Sequence, residues 1–145
     1  MHTTIEPGVL KCGDITDKVI RCFYDVYNEL GFGFLEGVYH RSMVIALEQA
    51  GLFVESRVKL PVYFRGHQVG DFEADIFVER LVILELKAVE ALLPAHDAQL
   101  LNYLKASAPE VGLLLNFGPK PKFKRFAFET TRKRSRPLVE CSDSV

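Results

Sequence analysis

The sequence predicts an α/β domain, a mixed central β-sheet flanked by helices, with elements in the order α-α-β-β-β-α-β-β. Three observations carry this. Apolar residues recur at helical spacing in two successive stretches before residue 51. Segments rich in β-branched and aromatic residues follow, separated by short turns. One of them, Leu81-Val-Ile-Leu-Glu85-Leu-Lys87-Ala-Val, is almost continuously apolar, as a central strand covered on both faces must be.

The first helix is expected over residues 15–30. Asp14 is a good N-cap, and Asp17 places a negative charge in the first turn, where the helix dipole favours it. Ile15, Val19, Cys22, Phe23, Val26 and Leu30 share one face, and Gly31 stops the helix. A second helix is expected over 34–50, with Leu35, Val38, Tyr39, Met43, Ala46, Leu47 and Ala50 as its apolar stripe. Strands are expected over 53–64, 68–78 and 81–89, with turns at Arg65-Gly66-His67 and Glu79-Arg80. Pro94 opens a third helix reaching about residue 107. The run Val111-Gly-Leu-Leu-Leu-Asn116-Phe reads as a buried strand. The intervening helix makes it parallel to a neighbour. Residues 123–128 read as an edge strand.

The 145 residues amount to one domain, expected over 13–130, with an N-terminal extension over 1–12 and a polar basic tail over 131–145. A composition 48% hydrophobic and 26% charged is that of a folded globular chain. The net charge of −1 excludes a uniformly basic nucleic-acid coat but leaves room for a local basic patch. The three cysteines, Cys12, Cys22 and Cys141, have no repeated spacing and no CxxC pattern. They read as free thiols in a reducing compartment. Residues 1–10 lack the apolar core of a signal peptide, and no run approaches the roughly 20 apolar residues of a membrane helix. A cytoplasmic protein with no membrane partner is therefore expected.

Glu85 and Lys87 interrupt the third strand. Two residues apart, they leave the same face of the sheet. Burying ionised groups costs several kcal/mol unless they are paired or coordinated. An ion pair, or a strand end reaching solvent, would satisfy them without any function. Asp75 on the preceding strand adds a third group. The turn at Glu79-Arg80 places it opposite Glu85 within about a residue of register. Facing carboxylates repel unless a cation lies between them. Hard oxygen ligands suit Mg²⁺, with Mn²⁺ as a substitute. Two carboxylates with a lysine form a kit for phosphodiester hydrolysis.

Ala74-Asp75, nine intervening residues, then Glu85-Leu86-Lys87 resembles the PD-(D/E)xK signature of restriction-endonuclease-like nucleases, with Ala74 in place of the proline. The segment Gly33-Phe-Leu-Glu36-Gly-Val-Tyr39 is similar to the motif of the prokaryotic GxxExxY proteins. Leu60-Pro-Val-Tyr63, Val69-Gly-Asp71-Phe-Glu-Ala-Asp75, His96-Asp-Ala-Gln99-Leu-Leu-Asn-Tyr103-Leu and Val111-Gly-Leu-Leu-Leu-Asn116-Phe-Gly118 also resemble that group, in the same order. The resemblance spans about residues 15–128. It implies a restriction-endonuclease-like core of the RecB-like branch. It implies Asp75 and Glu85 as metal ligands with the Leu86 carbonyl, and Lys87 as the catalytic lysine. Glu36 would be an accessory metal carboxylate from a preceding helix. Gln99 would hold Lys87 or the nucleic-acid backbone.

Read from spacing alone, Glu36, Tyr39 and His40 lie on one side of the second helix, and His96, Gln99 and Tyr103 on one face of the third. An ordinary solvated Glu36 and a half-buried Tyr103 are the bland alternatives. Tyr39, His96 and Tyr103 are auxiliary candidates. His96 has no second histidine or cysteine at zinc-ligand spacing. His40 and His67 read as surface residues. Asp71 and Glu73 alternate onto the same strand face as Asp75, which would let one of them approach the metal, but they read first as solvent-facing edge residues. Lys120, Lys122, Lys124 and Arg125, interleaved with Phe123, Phe126 and Phe128 and continued by Arg132, Lys133, Arg134 and Arg136, form a candidate nucleic-acid surface. They equally suit an edge strand protected by charge.

Three functions compete. The first is a Mg²⁺-dependent nuclease acting on DNA or RNA. The second is a non-catalytic nucleic-acid-binding or regulatory module on the same fold. The third is a small interaction partner with a structural acidic face. So short a chain has little room for a target-recognition domain, so a partner protein or a homodimer would supply specificity.

Overall fold

A computed structural model describes residues 12–129. The elements are α1 (Gly13–Leu30), α2 (Glu36–Gln49), β1 (Val54–Phe64), β2 (His67–Val78), β3 (Val82–Lys87), α3 (Pro94–Ala106), β4 (Val111–Phe117) and β5 (Pro121–Ala127). The five strands form one sheet in the order β1-β2-β3-β4-β5. β3 and β4 are parallel, and every other neighbouring pair is antiparallel. This is the mixed α/β sheet and element order expected from the sequence. The polar basic tail expected over 131–145, including Arg132, Lys133, Arg134 and Arg136, lies outside the described residues, as do residues 1–11 of the N-terminal extension.

Helices cover both faces. Val19, Phe23 and Val26 of α1 and Tyr39, Met43 and Leu47 of α2 pack on Val82, Leu84, Leu86, Leu113, Leu115 and Phe117. Leu100 and Leu104 of α3 pack on the other face, against Phe72, Ala74, Phe77, Ile83 and Leu114. β3 and β4 lie between the two layers, which is why their sequences are almost wholly apolar. Each fully buried aliphatic side chain there contributes about 1.5–3 kcal/mol.

Several boundaries move for identifiable reasons. α1 starts earlier, with Cys12 at φ 58 before it, so Asp14 lies in the first turn instead of capping. α2 starts at Glu36, because the Phe34 N–H goes to the Tyr39 hydroxyl. β3 starts later because the Leu81 N–H closes the turn onto the Val78 carbonyl. It ends at Lys87, since both backbone groups of Val89 bond the Asn116 side chain. Cys22 is free and buried, but Cys12 is disulfide-bonded, against the expectation of three free thiols. Among the described residues, Cys22 alone keeps a free thiol. No helix among the described residues is long and apolar enough to cross a membrane.

One irregularity positions the site. In the β1–β2 ladder Ser56 pairs with Ile76 and Val58 with Ala74, and the intervening Arg57–Asp75 pair is skipped. Arg57 has φ 54. Phe72 and Ala74 face the α3 layer, whereas Ile76 and Val78 face the α1–α2 layer. In a regular strand these four residues would share one face. The strand therefore swaps faces at Asp75, and the expected common face of Asp71, Glu73 and Asp75 is broken there.

Candidate active site

The β2–β3 ladder holds only three pairs, from Val78–Val82 to Ile76–Leu84. Beyond them the strands part, and Asp75 and Glu85 stand at the fork. Continuing the register by one pair sets Asp75 opposite Glu85. Asp75 Oδ2 accepts the Leu86 N–H at 2.8 Å. A carboxylate thus satisfies a β3 donor where the backbone ladder stops.

The electrostatics follow from this placement. Burial and the facing Asp75 push Glu85 from the ordinary 4.5 up to about 8, against the opposing pull of Lys87 and a backbone hydrogen bond at Asp75. Glu36, at the N-terminus of α2, adds to the repulsion. Its own carboxyl is raised by partial desolvation and by Asp75, and is drawn down by Lys87 and Arg57. Glu36, Asp75, Glu85 and Lys87 thus form one electrostatic group, assembled from α2, β2 and β3. Among the described residues, no three acidic, histidine or cysteine side chains form a ready metal cage.

On the α3 side, a cleft of about 150 Å³ is lined by Glu85 and Lys87 of β3, by His96, Gln99 and Tyr103 of α3, and by Phe72 and Glu73 of β2. Gln99 and Lys87 therefore line the same cleft. Tyr103 stacks on Phe72, with centroids 4.0 Å apart and planes at 8°. His96 Nδ1 accepts the Leu93 N–H at 3.0 Å, which satisfies a donor at the start of α3. Tyr39 is fully buried and stacks on Phe117 at 4.3 Å. Its hydroxyl donates to the Gly31 carbonyl and accepts from the Phe34 N–H. It latches the loop that delivers Glu36.

The β5 residues divide by face. Lys122 and Lys124 lie opposite Asn116 and Leu114, which lie beside Lys87 and Glu85. The two lysines therefore share the pleat face of the acidic pair. With Lys120 they line a cleft against Glu90, Leu92 and Asn116. Lys124 also ion-pairs with Asp97 at 2.7 Å. Arg125 belongs to the other face and is only 8% exposed. It drops out of the surface row proposed from sequence, because strand alternation turns it inward.

Some residues near the site were not singled out by sequence reasoning. Asn116 donates to the Val89 carbonyl and accepts from the Val89 N–H, both at 3.0 Å, fixing the chain just after Lys87. A lone amide in the apolar run of β4 was the available signal. His40, read as a surface residue, is buried, and its Nε2 lies 3.2 Å from Ser56 Oγ. Burial and the neighbouring Arg57 keep its pKa below the usual histidine value. Arg57 acts electrostatically on both Glu36 and His40, and nothing in the sequence marked it. Glu73 is exposed as expected, yet it lines the cleft.

The structure thus brings an acidic pair to a strand fork, with a lysine two residues on and helices on both faces of the sheet. A family model described as the PD-(D/E)XK nuclease superfamily matches residues 13–126, and the chain belongs to that superfamily. Among solved structures, the chain is similar to one titled "Crystal structure of SSO0001". The TM-score is 0.52 at 18% identity, covering 95% of this chain and 71% of the other. At that identity the likeness concerns the fold alone. A search of curated proteins finds no match.

Proposed function

We propose that the protein is a divalent-metal-dependent nuclease that hydrolyses phosphodiester bonds in DNA or RNA, using Mg²⁺, with Mn²⁺ as a substitute. The observation that carries this reading is the Asp75–Glu85 juxtaposition at the β2–β3 fork. Burial and the facing Asp75 carboxylate raise the cost of ionising Glu85, whose pKa is pushed up to about 8. The donor set fits a hard cation, because Mg²⁺ keeps several waters and needs only one or two carboxylates. Asp75, Glu85 and the Leu86 carbonyl would hold it, with Glu36 as the accessory carboxylate. The ion would supply Lewis acidity and lower the pKa of a bound water.

The chain's own residues do the rest. Lys87 offsets the paired negative charge and stabilises charge developing on the scissile phosphate. Gln99, which lines the same cleft, holds Lys87 or the nucleic-acid backbone. His96, Tyr39 and Tyr103 act as supports. Lys120, Lys122 and Lys124 track phosphates leaving the cleft. Membership of the GxxExxY group within the RecB-like branch is supported by Glu36 and Tyr39 at one loop and Gln99 at the cleft. A partner protein or a second copy of the chain supplies target specificity, and the expected compartment is the cytoplasm.

Calorimetric titration with Mn²⁺ and Mg²⁺, wild type against Glu85→Ala, tests the reading. The same samples are then incubated with labelled single- and double-stranded DNA and RNA. Metal binding and cleavage by wild type alone are expected. Cleavage retained in Glu85→Ala would remove the proposal. A second reading, a nucleic-acid-binding module that does not cut, is favoured by the lysine cleft on β5, which needs no chemistry to hold a strand. Metal-independent binding without turnover would select it.

A further inference from the structure

Three large apolar side chains are exposed directly before Glu36, although the Phe34 ring also meets Tyr39 edge-on at 6.0 Å. Phe32 is 54% exposed, Phe34 46% and Leu35 81%. Side chains of this size are ordinarily drawn into the core, and the backbone holds these outside it. Gly31 and Gly33 adopt φ +76 and +119, a region open to glycine and strained for other residues. The Tyr39 hydroxyl closes the loop by bonding Gly31 and Phe34.

The surroundings say what the loop meets. Tyr39 stacks on Phe117 at the end of β4. One turn before Gly31, the Tyr27 hydroxyl lies 2.8 Å from the carbonyl oxygens of both Gly118 and Pro119. The helices on either side of the loop are thus tied to the end of β4 and to the β4–β5 turn, which runs on into the exposed Lys120 and Lys122. On its other side begins α2 with Glu36, which feels the charges of Asp75 and Lys87. An occupant that runs from the loop across the turn and the start of α2 would meet aromatic rings, ammonium groups and a carboxylate centre. A nucleic-acid strand does so when its bases are unpaired, because free base faces stack on aromatic rings while phosphates reach lysines. In a duplex those base faces are already stacked on one another.

We infer that residues 32–35 are a base-contacting loop that selects single-stranded or locally unpaired nucleic acid. The inference rests on the nuclease reading for the place of the scissile phosphate, and on no catalytic step. The test is fluorescence anisotropy with a labelled oligothymidylate and a labelled duplex of equal length, without divalent metal, for wild type and Phe32→Ala/Phe34→Ala. Wild type is expected to prefer the single strand. The double variant is expected to lose about tenfold or more of single-strand affinity, with less than about twofold change on duplex. Its salt dependence stays as in wild type because the lysines remain. Phe32→Trp/Phe34→Trp is expected to keep single-strand affinity, which separates stacking from loss of fold.

Unchanged single-strand affinity in the alanine variant would overturn the inference, as would an equal loss on duplex. So would a change of oligomeric state in sedimentation with oligonucleotide affinity intact, which would make the loop a protein contact. If Glu85→Ala leaves metal binding untouched, the nuclease reading fails, and the anisotropy still decides the role of the loop.

Discussion

Asp75 Oδ2 accepts the backbone N–H of Leu86 at 2.8 Å, so one carboxylate both closes the β2–β3 fork and faces Glu85. Asparagine keeps an oxygen for Leu86 and removes the charge. Asp75→Asn should be at least as stable as wild type without metal, and should lose Mn²⁺ binding. Asp75→Ala should be destabilised by about 1–3 kcal/mol, the cost of an orphaned donor. Urea denaturation and calorimetry read both effects. An asparagine variant less stable than the alanine variant would contradict the assignment.

Glu85 ties stability to pH. Its carboxyl holds a proton up to about 8 in the fold and releases it near the ordinary 4.5 when unfolded. Between those values the folded chain binds more protons, so stability falls as pH rises, by up to about 1.4 kcal/mol per unit. The stabilising contribution is complete below the lower value and is lost by the upper one. A divalent cation replaces that proton, so metal affinity should rise over the same window and binding should release protons. Urea unfolding in chelator at several pH values, with Glu85→Gln as control, should show the Glu85 share of the slope lost in the variant, leaving what Glu36 and His40 contribute.

Lys87 shares the cleft with Glu85 and Gln99. Lys87→Ala should leave a metal titration while lowering cleavage on the order of 10²–10³-fold, the usual size of losing one charge-stabilising donor. Equal loss of metal binding and cleavage would instead make Lys87 a structural counter-charge.

Asn116 and Gly118 lock the segment that follows Lys87. Asn116→Ala removes two hydrogen bonds to Val89 and should cost about 2–4 kcal/mol by thermal or urea denaturation. A Cβ on Gly118 would lie 2.3 Å from the Val89 carbonyl oxygen, so Gly118→Ala should destabilise through backbone displacement. A fully stable Gly118→Ala would show that the contact can relax.

The two faces of β5 predict opposite phenotypes. Lys122→Ala should keep stability and reduce the salt slope of nucleic-acid binding by about one. Arg125→Ala should lower stability, since its side chain is buried. Titrating binding against salt, alongside denaturation, separates the two.

Much of this was legible in the chain before any coordinates. Element order, the central place of 81–89, and the parallel partner after α3 follow from hydrophobic period and connection length, which are local properties. The same holds for Asp75 opposite Glu85, because a short hairpin sets its own register. The tertiary structure alone decided the rest. The face swap at Arg57–Asp75 depends on one positive φ and on packing by two separate layers. The burial of His40 and the Asn116–Val89 lock join residues 16 and 27 positions apart. No local period encodes these contacts, because each is set by where distant elements meet.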